Sequence, residues 1–78
     1  MKAHSTRAVA NAIAAYLAAH PAAADTLEGI HAWWLVPLGL DHPVEVTACA
    51  LELLEMEGKI ESVELGPRRV WRRRRGEA

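Results

Sequence analysis

The side chains best suited to chemistry in this chain are six arginines near its C-terminal end, Arg68, Arg69 and Arg72 to Arg75, with Trp71 among them. Guanidinium groups present planar forks of donors that match phosphate or carboxylate oxygens, so a cluster of them grips an anionic backbone without reading its sequence. The opposite sign lies upstream. Residues 1–65 hold Lys2, Arg7 and Lys59 against nine carboxylates, whereas residues 66–78 hold the six arginines against Glu77 alone. A net charge of −1 therefore conceals an acidic body and a basic tail. The tail points to an anionic partner, which could be nucleic acid, another protein or the acidic body of a second copy. A short basic terminus is also a common solubilising device, and residues 76–78 are expected to be a disordered end.

Other chemistry is poorly supplied. No nucleophile stands beside an evident base, no glycine-rich phosphate loop is present, and the chain has only two serines, so an enzyme is not expected and no cofactor is implied. His20, His31 and His42 recur every eleven residues but fall at different element ends, without the spacing that holds a metal. Cys49 reads as a small apolar residue, and a single cysteine excludes an internal disulfide. No apolar run approaches the ~18 residues of a membrane span, and the first residues lack the apolar core of a signal peptide. A cytoplasmic protein without membrane attachment is expected.

The elements that position these residues follow from pattern and punctuation. Seventy-eight residues make one domain, taken as 1–75, whose small size leaves only about 60% of its surface buried on folding. Ser5 or Thr6 caps a first helix to about His20, with Val9, Ile13, Tyr16 and Leu17 inward and Ala8, Ala15, Ala18 and Ala19 outward. Asp25 and Glu28 resemble a capping box opening a second helix through about Leu35. Its inward line is Leu27, Ile30, Trp34 and, if the phase extends, Leu38. Trp33 points away from that line. It is covered by the first helix or the tail, or else it is an exposed anchor of the kind that dominates interfaces.

A third helix spans Pro43 to Glu57, capped by Asp41 or His42, with Pro43 at its first position and Gly58 ending it. Val46, Cys49, Ala50, Leu53 and Leu54 form its inward stripe, while Glu45, Glu52 and Glu55 face water. Lys59 to Leu65 and Arg69 to Arg73 then read as two strands around the turn Gly66-Pro67-Arg68. Trp71, opposite Ile60 or Val63, closes the small core or else stacks on a base.

The stretches DTLEGIHAWWL, VEVTACALELLEMEGKIESVEL and GPRRVWRR, with Leu51, Leu54 and Gly58 at their spacing, resemble a small bacterial winged helix-turn-helix domain. The resemblance implies a mainly α fold of three helices plus a two-stranded wing, with Pro43 to Glu57 in the major groove of DNA and Gly66 to Arg69 as the wing tip. It also implies transcription regulation, usually as a homodimer. On that reading Arg68, Arg69, Arg72, Arg73 and Arg74 contact phosphates, and Thr47 is the one neutral polar side chain offered near a base edge. Glu45, Glu52 and Glu55 oppose it, because carboxylates inserted between phosphate strands are repelled. The alternative is a protein-interaction module without DNA binding, whose contact surface is Trp33, the acidic third helix with Glu45, Glu52 and Glu55, and the alanine-rich first helix.

Overall fold

The computed structural model describes residues 5–74; Arg75 and the expected disordered end at 76–78 lie outside the described residues. The chain folds as α1 (Thr6–Ala19), β1 (Ala24–Asp25), a composite second helix, α3 (Val44–Met56), β2 (Ile60–Leu65) and β3 (Arg68–Arg73). The second helix begins as α2 (Leu27–Gly29), continues as a π-helical segment (Ile30–Leu35) and closes in a 3₁₀ turn (Val36–Leu38). Three helices and a three-stranded antiparallel sheet of order β1-β3-β2 result, one strand more than the two-stranded wing expected.

Helix α1 forms as its sequence demands. Ser5 Oγ accepts from the Ala8 N–H at 3.1 Å, and Val9, Ala10, Ile13 and Leu17 turn inward. In the second helix the cap is Thr26 rather than Asp25: Thr26 Oγ1 accepts from the Gly29 N–H, while Asp25 Oδ1 holds the Thr26 N–H one residue earlier. The helix then widens, with the Val36 N–H reaching back five residues to the His31 carbonyl. That extra residue per turn brings both Trp34 and Leu35 beneath Ile30, so all three are buried. It also throws Leu38 off the expected inward line and leaves it 61% exposed. Trp34 stacks on Tyr16 of α1, ring centroids 4.3 Å apart, and Tyr16 leans on His20.

Helix α3 starts one residue later than expected. Neither Asp41 nor His42 is its N-cap: Pro43 takes that place in an extended conformation, and its carbonyl accepts the Val46 N–H. The C-terminus is closed by Gly58 at φ +75°, where the Gly58 and Lys59 N–H groups bond the Glu55 and Leu54 carbonyls. The buried face is Thr47, Ala50, Leu51 and Leu54, about one residue round from the expected stripe. Cys49 is exposed, because it sits four residues after Glu45 and three before Glu52 and so belongs to the acidic side. The β2–β3 hairpin turns on Gly66 at φ +64°, the positive value that a two-residue primed turn requires at its first position. Trp71 packs against the core from β3, but its cross-strand partner is Ser62, not Ile60 or Val63.

Candidate interaction surfaces

The arginines do not form one compact patch. Side chains alternate across a strand, so the register puts Arg68 and Arg72 on the outer face of the hairpin with Leu65, Val63 and Val70. Arg69 and Arg73 take the other face, alongside Trp71 and Ile60. The tip at Arg68 and the base at Arg73 lie roughly 17 Å apart along the strand. Two of the charges are answered internally: Arg72 Nε donates to Glu61 at 2.7 Å and Arg69 pairs with Glu64 at 3.3 Å. Arg68, Arg73 and Arg74 make no ion pair among the described residues.

The surface of α3 carries the opposite charge. Glu45, Glu52 and Glu55 are all exposed, and Glu55 accepts a hydrogen bond from Ser62 Oγ. Thr47, expected on that surface as a contact to a base edge, is fully buried. Its hydroxyl lies 2.8 Å from both His31 Nδ1 and His42 Nε2, within hydrogen-bonding distance of both rings. Desolvating a threonine is tolerable when its hydroxyl is satisfied in this way. The two imidazoles meet edge to face with centroids 5.0 Å apart, and they tie the connector before α3 to the second helix. Sequence spacing alone concealed this contact, since the eleven-residue recurrence that links His31 and His42 does not reach Thr47.

A third surface is apolar. Trp33 is 72% exposed, uncovered by α1, and Val36 and Leu38 next to it on the same short helix are exposed as well. Three large apolar side chains within six residues form an exposed ridge that no other element covers among the described residues.

Arg7 of α1 donates to Glu57 at the end of α3 at 2.6 Å. That hydrogen bond, with the Arg7 and Lys59 charges, outweighs partial desolvation and holds the Glu57 carboxyl below the usual carboxylate range. A carboxyl with a lowered folded-state pKa stabilises the fold above its unfolded value, and the contribution disappears as pH falls through the folded value. The pair is open to solvent and so acts as a weak clip between the two helices.

Among the described residues no cluster of three or more His, Cys, Asp or Glu is placed to hold a metal ion, and no helix is long and apolar enough to cross a membrane. Sequence patterning gave no sign of a groove between the start of α2 and the hairpin tip, with a volume of about 510 Å³. The fold and surfaces define a small mixed α/β domain with an acidic helix, a basic hairpin and an apolar ridge. No protein-family model matches the chain, and comparison with curated proteins and with solved structures gives no match.

Proposed function

We propose that the chain is a winged-helix-like protein-association module that docks a second copy of itself through the Trp33, Val36 and Leu38 ridge. The exposure of Trp33 carries this reading. A surface tryptophan is the side chain most often found at the energetic centre of an interface, and leaving it in water brings the isolated chain no stability. A second copy is the favoured occupant because each chain offers both signs of charge, Glu45, Glu52 and Glu55 on α3 and, on and just after the hairpin, Arg68, Arg73 and Arg74, which make no ion pair among the described residues. A two-fold axis makes every cross-chain contact occur twice, so a pairing of α3 carboxylates with hairpin arginines would form on both sides of it. Sedimentation equilibrium tests it: the wild type forms a reversible dimer, and Trp33→Ala, with an unchanged circular dichroism spectrum, weakens it by about tenfold or more. A wild type that stays monomeric at every concentration discards the reading.

A second reading, phosphate binding by the hairpin, is supported by the same three arginines. It assigns duplex DNA as partner and leaves α3 outside the major groove, because its surface is acidic and Thr47 is buried. Affinity for duplex DNA then falls steeply with salt, and replacing Arg68, Arg73 and Arg74 with alanine lowers the slope by about three phosphate contacts. No binding at low salt removes this reading.

A further inference from the structure

Strand β3 is paired along its whole length on one side and hardly at all on the other. Every residue of β2 faces it, whereas β1 covers it only where Ala24 and Asp25 stand opposite Arg72 and Trp71. The chain then leaves the sheet at Thr26 to start α2. The backbone direction along β3 is fixed by one hydrogen bond: the Arg74 N–H donates to the Lys59 carbonyl on the β2 side. Main-chain groups alternate between the two sides of an antiparallel strand, so Arg72, Val70 and Arg68 also face β2, while Trp71 and Arg69 face the lane of β1. Trp71 meets Asp25 there. The next position toward the tip, Arg69, has its N–H and C=O directed at a lane in which no strand follows.

That lane is the groove of about 510 Å³ between Leu27 and Glu28 on one wall and Arg68, Arg69 and Trp71 on the other. Trp71 lines it, and the buried Trp71 Nε1–H has no acceptor among the described residues. An exposed strand edge flanked by a pocket for alternate side chains is the arrangement that receives an extended peptide by strand addition. The charges at the mouth select the occupant. Arg68 makes no ion pair among the described residues, whereas Arg69 shares Glu64 and Glu28 on the facing wall offsets part of the charge; the mouth is net positive at Arg68, and the same edge of a second copy would set arginine against arginine and be repelled. A strand bearing carboxylates is attracted instead.

We propose that the edge of β3 at Arg69 is a docking lane for an extended acidic peptide of another protein, which continues the line of β1. The peptide exchanges two main-chain hydrogen bonds with Arg69, lays one apolar side chain on Trp71 and Leu27, and turns its carboxylates to the opposite face, toward Arg68. This site is separate from the Trp33 ridge and does not depend on it.

A blocked synthetic pentapeptide of alternating valine and glutamate, titrated into the isotope-labelled chain and followed by NMR, tests the proposal. At saturation the Arg69 amide and the Trp71 indole N–H shift, and exchange of the Arg69 amide slows by about tenfold or more. The lysine analogue of the peptide binds at least about tenfold more weakly, and replacing Arg68 with alanine costs the acidic peptide a similar factor. N-methylation of one alternate set of peptide amides abolishes binding and of the other set does not, the mark of one-sided main-chain pairing. Trp33→Ala leaves the affinity unchanged. The proposal is overturned if the Arg69 amide stays unprotected, if both N-methylated peptides bind alike, if Trp33→Ala removes binding, or if duplex DNA shifts these arginines while the peptide does not.

Discussion

Leu54→Ala lowers the stability of the chain by about 3 kcal/mol, within the ~2–5 kcal/mol span of buried leucine truncations. Leu54 is 1% exposed and belongs to the central cluster with Ile13, Ile30, Leu35, Leu51 and Ile60. Its carbonyl also accepts the Lys59 N–H that closes α3, but this bond is main-chain and survives the substitution, so the loss isolates packing. For a domain of this size, each kcal/mol is worth roughly 4–8 °C in Tm, and total stability near the low end of ~5 kcal/mol makes the change severe. Urea denaturation should show a lower midpoint at constant slope. Met56→Ala, at an 83% exposed position one turn end away, changes stability by no more than about 0.5 kcal/mol. Equal effects at the two sites would mean that α3 is rotated, and Glu45, Glu52 and Glu55 would then no longer form its outer surface.

The contrast between those two positions marks how far the sequence could be read. Ala50 and Leu54 inward and the three glutamates outward follow from helical spacing, and so do the Ser5 cap and the apolar stripe of α1, because each depends on residues within a turn or two. What failed was decided at longer range or by an extra backbone residue. Ala24–Asp25 has little strand preference of its own and is extended because β3 presents an edge to it. In Trp33-Trp34-Leu35-Val36 an unbroken apolar run gives no phase, and only the π-helical turn determines that Trp34 and Leu35 go inward while Trp33 stays in water. The arginines were countable from the sequence. Their division between the two faces of β3, and their pairing with Glu61 and Glu64, required the register.

Thr47 is the position where short-range reasoning was most misleading, and its substitutions should therefore behave in an unusual order. For a threonine buried by its methyl group alone, valine would be the mildest replacement and serine the more damaging one. Here the hydroxyl bridges His31 Nδ1 and His42 Nε2, both at 2.8 Å, in a site where His42 is only 8% exposed. Thr47→Val keeps the volume but removes the hydroxyl to which both rings are bonded, at about 1–3 kcal/mol, mostly on the buried His42 side because half-buried His31 can regain water. Thr47→Ser keeps the bridge and loses one buried methyl, about 1 kcal/mol. Urea melts of the three proteins should therefore rank threonine above serine above valine. The opposite ranking would show that the hydroxyl does not join the rings. Because His42 lies in the connector and His31 on the second helix, the valine substitution also frees the crossing of that helix over α3, which sets the Trp33 ridge relative to the acidic face. Self-association should then weaken in Thr47→Val although the altered side chain is itself buried, and remain near wild type in Thr47→Ser.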